Sequence, residues 1–467
     1  GTRMKHFAIF IIILATLGLW SCKDSEGTIG DSPITANGQD RDSDIITGDD
    51  YIYHLPVIFH VFYKDSKNPK QYISNARLKE LLDNVNELYQ GNVYNISLDT
   101  IESENLHIQF ELAEYDLNGK KLKTPGVEYI KIAEDSLDCE EFMRSKSNAK
   151  YSWNQNDYIN VMVYTFKNTD ATSTTLGISN VPYKVAGYPD LEGLTNGKNY
   201  PLSKPSSFPY CVSLNAIYVD KKYEGTRYTT DKKQKNYQYN TADPNATLAH
   251  ELGHYLGLFH TFSEKPDKKD KSEPADDDDD SDYCQDTPSY NRIAYNKWLV
   301  SYMAEAKKIK PDTTFTVKQL AKRSNNQGKE WQADNLMDYS ICYSMRFTPD
   351  QAYRIRQVLY YSPLIPGPKK ARTTTRAWNE MPEEEFECPG QGKNHQAERH
   401  SDPHLPWQIN RFNIIKQQNI EYEIYNQGSK PTQRKHQLAC IQKYQQQSAR
   451  HQCDGRKQHP ARQPERL

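Results

Sequence analysis

Residues 250–260 read HELGHYLGLFH, and this stretch decides the fold. His250 and His254 are four residues apart, so on an α-helix both imidazoles lie on one face and can bind one metal ion. Glu251 stands beside the first histidine, where it can hold a water at the metal without being a ligand itself. The stretch therefore predicts two zinc ligands and a general base on one helix.

The third histidine requires the helix to end. His260 follows His254 by six residues, and continued helical rotation would carry its side chain to the wrong side. Gly257 is the expected break, because glycine adopts the left-handed C-cap conformation at little steric cost. Three imidazoles then leave one position for water, which distinguishes a catalytic zinc from a closed structural one. An amphipathic helix with two surface histidines would leave Gly257 and His260 unexplained.

These eleven residues resemble the metzincin zinc peptidases, whose consensus is HExxHxxGxxH. The resemblance implies a methionine turn downstream, and the sequence NLMDY at 335–339 supplies it with Met337. Further short stretches are similar to the pappalysin branch and its bacterial lipoprotein members: TF at 261–262, DTP at 286–288 and FTPDQ at 347–351. The resemblance spans roughly residues 51–367.

The resemblance also implies roles for single residues. His250, His254 and His260 would bind zinc, and Glu251 would activate water. Met337 would be a packing floor under the site and not a ligand. Tyr339 would donate its hydroxyl to the developing oxyanion, with packing under the cleft as the alternative.

Calcium and a disulfide are further implications of the resemblance. Asp286, in the DTP motif, is a candidate calcium ligand, because carboxylates are hard oxygen ligands. The five aspartates at 276–280 are interpreted as a solvated acidic run, with calcium binding as the alternative. Cys284 and Cys342 are the preferred disulfide, since both flank motifs that converge on the zinc. Cys139 with Cys211 is a second candidate pair.

The N-terminal residues resemble a lipoprotein export signal. Residues 1–3 are interpreted as an upstream remnant, and residues 4–21 as a signal peptide whose apolar core is too short for a comfortable membrane span. LWSC at 19–22 resembles a lipobox, in which Cys22 becomes the lipidated N-terminus. A buried cysteine after an uncleaved anchor is the alternative. We therefore expect export and lipid anchoring at the outer membrane of a Gram-negative bacterium, with exposure at the cell surface as an option.

Hydrophobic patterning places the fold between a flexible tether, 22–50, and a polar tail, 369–467. Ser74 and Asp243 are candidate helix N-caps, and Thr348 starts a capping box. Apolar runs predict strands at 56–63, 108–113, 126–132, 158–166 and 211–219, and a candidate edge strand at 177–182. We expect an α/β (α+β) fold of the metzincin type. Its twisted mixed sheet, backing helix and active-site helix form an upper subdomain, 51–260. A small irregular lower subdomain, 261–368, ends in a helix.

The bulk composition adds weaker constraints. The 467 residues carry a formal net charge of -2, which gives no reason to expect a nucleic acid partner. A mean hydropathy of -0.89 indicates polar segments outside the core. The tail is rich in Gln, His, Arg and Lys, so it is interpreted as disordered or as sequence from a shifted reading frame.

The sequence predicts a secreted, lipid-anchored zinc endopeptidase that acts as a monomer on protein or peptide substrates. A surface adhesin or glycan-binding lipoprotein with a non-catalytic zinc is the alternative. The presence of Glu251 and the open fourth ligand position argue against it. A zinc hydrolase acting on other substrates is excluded only by the family resemblance.

Overall fold

The computed structural model describes residues 51–93, 102–167, 174–185, 191–197, 206–225, 228, 230, 240–275 and 282–367, together with strand 414–419. The predicted signal peptide, Cys22, the tether, the aspartate run at 276–280 and most of the tail lie outside these residues. Those interpretations therefore stay predictions. Within the described part of the chain, no helix is both long enough and apolar enough to cross a membrane.

The strands, in chain order, are β1 (Tyr53–Tyr63), β2 (Ile108–Leu112), β3 (Val127–Lys131), β4 (Ile159–Tyr164), β5 (Thr174–Asn180), β6 (Tyr183–Val185), β7 (Thr195–Gly197), β8 (Val212–Asn215), β9 (Phe262–Ser263), β10 (Tyr290–Asn291), β11 (Lys322–Ser324), β12 (Glu330–Gln332) and β13 (Ile414–Asn419). The α-helices are α1 (Asn75–Tyr89), α2 (Cys139–Arg144), α3 (Pro244–Tyr255), α4 (Arg292–Ile309), α5 (Val317–Leu320) and α6 (Pro349–Tyr361). Three short 3₁₀ helices are Lys146–Tyr151, Ala216–Tyr218 and Lys221–Tyr223.

One mixed sheet organises the described chain, in the order β13-β5-β8-β4-β1-β2, with β3 also paired to β1. β1 is parallel to β2, β3 and β4, and β4 is parallel to β8. β5 runs antiparallel to β8, and β13 runs antiparallel to β5. The pairs β6–β7, β9–β10 and β11–β12 are separate two-stranded sheets.

The alternation of side chains along β1 gives the sheet two buried faces. Val57, Phe59 and Val61 belong to the main hydrophobic core. Phe62 points to the other face, where it packs in a smaller cluster with Met162 of β4. Because both faces of the sheet are covered, the sequence of β1 is a nearly continuous run of apolar residues and does not alternate between apolar and polar residues.

Helix α1 backs the sheet and touches the helix that carries the histidines. Its N-cap is Ser74, whose hydroxyl accepts a hydrogen bond from the Arg77 N–H at 3.2 Å, as the sequence predicted. Its buried leucines and Val85 each contribute roughly 1.5–3 kcal/mol of apolar burial. At its C-terminal end the Tyr89 hydroxyl donates to the Ala249 carbonyl at 3.0 Å, which ties α1 to α3.

A second cluster, rich in aromatic residues, lies below the main core and contains the start of α4 and the turn at 339–345. Helix α4 is capped by Asn291, whose Oδ1 accepts from the Ile293 N–H at 2.9 Å. The last described helix is α6, which begins at the predicted capping box. Thr348 Oγ1 accepts from the Gln351 N–H at 3.3 Å, and Gln351 Oε1 accepts from the Thr348 N–H at 3.0 Å.

The α/β architecture with a mixed sheet, a backing helix and a final capped helix is as predicted. Two elements differ. The predicted edge strand 177–182 is β5, Thr174–Asn180, and its outer edge is paired with β13, in the tail that we expected to be disordered. Main-chain pairing needs donors and acceptors but no apolar face, so hydropathy gave no signal for β13. Helix α4 was not predicted at all.

Candidate metal centre

Helix α3 is buried along its whole length. Its N-terminal N–H groups are buried too, and the N-cap residue Asp243 supplies them with hydrogen-bond acceptors. Asp243 Oδ1 accepts hydrogen bonds from the N–H groups of Asn245 at 2.9 Å and Ala246 at 3.3 Å. The N–H groups in the first turn of a helix have no acceptor within the helix itself. Pro244 has no N–H to satisfy. The start of the helix can therefore lie inside the protein and hold its side chains rigidly.

The helix ends at Tyr255, and the chain reverses at Gly257, which has a φ of +99°. A Cβ atom at this position would lie 2.6 Å from Cγ2 of Val358 on α6. Glycine is therefore required here both by its left-handed conformation and by the close approach of α6. The reversal brings His260 back to the face of α3 that carries the other two histidines.

The three imidazoles converge on one point. Nε2 of His250 lies 2.9 Å from Nε2 of His254 and 3.2 Å from Nε2 of His260, and the third pair is 3.0 Å apart. Tetrahedral zinc with nitrogen ligands at 2.0–2.1 Å would set these distances at about 3.3 Å. Among the described residues this is the one group of three His, Cys, Asp or Glu side chains placed to hold a metal ion.

Main-chain carbonyls fix the tautomer of two of these rings. Nδ1 of His250 donates to the Leu336 carbonyl at 2.7 Å, and Nδ1 of His254 donates to the Leu258 carbonyl at 2.8 Å. With the proton on Nδ1, the lone pair of Nε2 points at the common centre. His260 is held differently, since its ring stacks on Phe262 with centroids 4.7 Å apart and planes 8° apart.

Burial keeps the imidazoles neutral. It lowers the pKa of His250 to about 4. The pKa values of His254 and His260 are also held well below their usual value, first by burial and then by the neighbouring histidines. Neutral imidazole is the form that binds a metal, so the donor set fits zinc at neutral pH.

Glu251 lies beside the histidines and is completely buried. Neither of its carboxylate oxygens has a hydrogen-bond partner among the described residues. Burial raises the pKa of its carboxyl well above the usual value, so a neighbouring positive charge is needed to keep it ionised at neutral pH. A dication held by the three imidazoles would supply that charge.

Strand β5 passes directly over this carboxylate. A Cβ atom at Gly177 would lie 2.6 Å from Cγ and 2.8 Å from Oε1 of Glu251. A side chain at residue 177 would therefore have to displace either the strand or the Glu251 carboxylate. Sequence reasoning placed Gly177 in an edge strand but missed this contact.

The turn after residue 335 lies beneath α3. Met337 is fully buried, and a Cβ atom at Gly253 would lie 2.5 Å from its Sδ. The Tyr339 ring lies 4.5 Å from the His260 ring, at 65° to it, and 5.9 Å from the His250 ring, by centroid distances. Met337 thus packs against α3, and the Tyr339 ring lies beside the rings of His250 and His260.

Asp286 has a structural partner among the described residues. Its Oδ2 accepts from the Asp350 N–H at 2.9 Å, while Asp350 Oδ2 accepts from the N–H groups of Gln285 at 2.9 Å and Asp286 at 3.2 Å. This reciprocal pair caps the start of α6 and connects it to the DTP motif. Since no described group of three acidic ligands surrounds Asp286, the calcium expectation gains no support.

The predicted Cys284–Cys342 disulfide is not formed in the structure. Both side chains are buried thiols. Cys342 lies in the aromatic cluster and its Sγ donates to the Asn335 carbonyl at 3.3 Å. Cys284 lies outside that cluster, in the turn that Asp282 holds through the Cys284 N–H at 3.1 Å. Flanking motifs that converge on one site did not bring the two sulfur atoms together. Cys139 and Cys211 share one apolar cluster as thiols as well.

His60, on β1, has partners outside the group of three histidines. It is fully buried, with Nδ1 at 2.7 Å from Glu128 Oε2 and Nε2 at 2.8 Å from Asn160 Oδ1. Two buried arginines near the site, Arg292 and Arg323, were missed. Arginine is rarely buried without a partner, but the partners here are distant in sequence and no local spacing reveals them.

The site lies within a segment that is similar to a known peptidase family. Residues 222–360 match the family model Peptidase_M43, described as pregnancy-associated plasma protein-A. Tannerella forsythia mature mirolysin in complex with a cleaved peptide is 18% identical, with 65% of this chain and 90% of that chain covered and a TM-score of 0.39. A Tannerella forsythia promirolysin mutant is also 18% identical, with 67% and 81% covered and a TM-score of 0.38. No curated protein matches the chain.

Proposed function

Residues 222–360 form a zinc metallopeptidase domain of the pappalysin family, and from this premise we propose that the protein is an exported, lipid-anchored endopeptidase whose attacking water is activated by Glu251. Its substrates would be extracellular proteins or peptides. The family match supports the chemistry, and the N-terminal sequence supports the location.

The observation that carries the catalytic role is the buried carboxylate of Glu251, whose two oxygens have no hydrogen-bond partner among the described residues. A carboxylate that is buried without hydrogen-bond partners destabilises the folded protein. A structural metal site needs no such group, whereas hydrolysis needs a base that reaches a water at the metal. The arrangement therefore favours a peptidase over an adhesin with a non-catalytic zinc.

The residues divide the chemistry among them. Zinc, when held by His250, His254 and His260, supplies a Lewis acid that polarises the scissile carbonyl and makes water more acidic. Glu251 accepts the proton of the attacking water and passes it to the nitrogen of the leaving amine. The Tyr339 hydroxyl would donate to the oxyanion that develops on the former carbonyl.

Strand β5 supports a role in substrate binding. It runs antiparallel to β8 and crosses Glu251 at Gly177, so a peptide paired with its outer edge would bring its main chain close to the base. That edge is paired with β13 in the structure. A substrate that uses the same edge would have to replace β13.

The lipid anchor follows from the sequence alone, since Cys22 lies outside the described residues. Replacement of Cys22 by serine in the producing cell should move the protein from the detergent phase to the aqueous phase in a detergent-partition assay. An unchanged partition would contradict the anchor without affecting the peptidase.

A peptide library tests the activity itself. The purified protein, loaded with zinc, should cleave internal peptide bonds, and a chelator should stop cleavage until zinc is restored. Mass spectrometry of the products would distinguish endopeptidase cuts from terminal trimming. A zinc-loaded, folded protein that cleaves no peptide in the library but binds glycans or host surfaces would favour the adhesin.

A further inference from the structure

Two buried arginines hold the segment that carries Tyr339. Arg323 Nη2 donates to the carbonyls of Tyr339 at 3.1 Å and Ile341 at 2.9 Å. Arg292 Nη2 donates to the carbonyl of Ser340, which lies between them, at 2.8 Å. Three successive carbonyls, 339 to 341, thus accept hydrogen bonds from guanidinium groups. A loop held in this way has little freedom to move relative to its neighbours.

One carboxylate compensates part of the positive charge. Arg323 Nε lies 3.3 Å from Asp338 Oδ2, and both side chains are buried. Asp338 Oδ1 accepts from the Tyr290 hydroxyl at 2.5 Å and from the Tyr339 N–H at 2.7 Å. Asp338 therefore connects Arg323 to the main chain of Tyr339. Buried charges held by several hydrogen bonds each have a specified geometry.

Arg292 also touches the aromatic side chains that flank the third histidine. Its guanidinium carbon lies 4.9 Å from the centroid of the Tyr339 ring and 5.3 Å from that of Phe262. The Tyr339 ring contacts the edge of His260, and the Phe262 ring stacks on it. One side chain thus lies against both rings that border His260. The planar guanidinium can stack and donate at once, which a lysine cannot do.

We propose that Arg292, supported by Arg323, is a positioning residue that aims the Tyr339 hydroxyl at the reacting carbonyl. This inference rests on the proposed oxyanion role of Tyr339. Arg292 does not touch substrate; it acts through the ring over which it lies and the carbonyl that follows it. If the two arginines had only a structural role, replacing them would lower the free energy of unfolding and leave the kcat of the folded enzyme unchanged.

A double-mutant cycle separates the two roles. In zinc-loaded enzyme, Arg292→Lys should lower kcat about 10- to 100-fold, as a displacement of roughly 1 Å can do, with KM and zinc content unchanged. In a Tyr339→Phe background the same change should have almost no further effect on kcat, because the hydroxyl that it misplaces is gone. Independent effects that multiply would overturn the proposal.

Arg356→Lys is the matched control. Arg356 is also buried, donates to a main-chain carbonyl, that of Tyr51 at 3.1 Å, and lies 5.3 Å from the centroid of the Tyr53 ring. It belongs to α6 and lies over the Tyr53 ring of β1. A similar loss of kcat in Arg356→Lys would mean that any buried arginine change impairs the enzyme, which would also overturn the proposal.

Binding gives a readout that does not depend on turnover. A phosphinic peptide presents a tetrahedral oxyanion, so its affinity follows transition-state stabilisation. In each of the variants Arg292→Lys and Tyr339→Phe, the Kd of the phosphinic peptide should rise by the factor by which kcat falls. The Kd of a cleaved product peptide should stay the same. If Arg292→Lys does not fold, Arg292→Gln, which keeps a donor for the Ser340 carbonyl, takes its place in the cycle.

The outcomes distinguish failure at each level. A wild-type enzyme that cleaves no peptide would end the proposed function. An active enzyme whose Tyr339→Phe variant keeps full kcat would remove Tyr339 from the mechanism, and the positioning role with it. A Tyr339→Phe loss together with an unchanged Arg292→Lys enzyme would overturn only the inference about Arg292.

Discussion

Strand β5 crosses the carboxylate of Glu251 at Gly177 so closely that a Cβ atom there would lie 2.8 Å from Oε1. Real Cβ contacts of this length essentially do not occur, so a side chain at 177 must displace either the strand or the base. The position of the base and the course of the strand are therefore set together. The contact makes Gly177 a direct probe of how accurately Glu251 must be placed.

Gly177→Ala should lower kcat about 10- to 100-fold while the zinc content stays the same, because Glu251 is moved and the imidazoles are not. Steady-state kinetics and metal analysis on the same preparation measure both quantities. A Gly177→Ala, Glu251→Asp double variant is the control, since the shorter acid makes room for the methyl group. The double variant should be no slower than Glu251→Asp alone.

Glu251→Ala should abolish measurable hydrolysis, with a loss of roughly 10²–10⁴-fold expected for a general base. Zinc should remain bound at one equivalent, because the three imidazoles hold it. Retained turnover would contradict the role of the base. Loss of metal from a folded variant would show that Glu251 belongs to the ligand set.

Tyr339→Phe should reduce kcat roughly 10- to 1,000-fold, as for the loss of one oxyanion donor, with KM and zinc affinity nearly unchanged. The substitution keeps the ring that packs on His260 and removes only the hydroxyl. Steady-state kinetics on one peptide decides the question. A kcat equal to that of the parent enzyme would leave Tyr339 as a packing residue.

Removal of zinc should make stability depend on pH. The folded pKa of His250 is lowered to about 4 from a usual value of 6.5, so the unfolded chain binds more protons than the folded one between these values. The contribution of each such histidine is therefore complete above about pH 6.5 and falls on acidification toward pH 4, by ~1.4 kcal/mol per pH unit. The raised pKa of the Glu251 carboxyl acts in the opposite direction, but it is one group against three imidazoles. Thermal unfolding of metal-free protein from pH 7 to 5 measures this slope. A flat profile would contradict neutral, buried imidazoles.

A chain truncated after Pro368 should fold as the full chain does, since α6 is the last described element with a buried apolar face. Its kcat/KM should be equal or higher, because removing β13 leaves the outer edge of β5 open for a substrate. Thermal unfolding and peptide kinetics on both lengths test this. A large loss of stability in the shorter form would make the tail part of the folded domain.

Local signals in the sequence predicted the elements that depend on neighbouring residues. The caps at Ser74, Asp243 and Thr348 were predicted correctly, because a cap is a contact across two or three positions. The convergence of the histidines was also readable, since helical spacing and one glycine determine it. Contacts between residues that are far apart in the chain could not be predicted from the sequence.

Two pairs of residues that are distant in sequence show where that limit lies. Arg323 and Asp338 form an ion pair across a turn that no periodicity specifies. The pairing of Cys284 with Cys342 was inferred from motifs that share a site, yet sharing a site did not bring the two sulfur atoms together. Helix α4 was overlooked although Tyr295 and Leu299, its buried apolar residues, follow helical spacing.

The hydrogen bond from His250 to the Leu336 carbonyl, 86 positions along the chain, has a consequence for how the protein matures. A growing chain already contains all three imidazoles once residue 260 has been made, but it lacks the acceptor that orients the first ring. Tight metal capture should therefore wait until the turn at 336 has been synthesised and folded. The zinc centre would then form only once the segment that contains residue 336 has folded against α3, whatever part of the chain reaches the outside first.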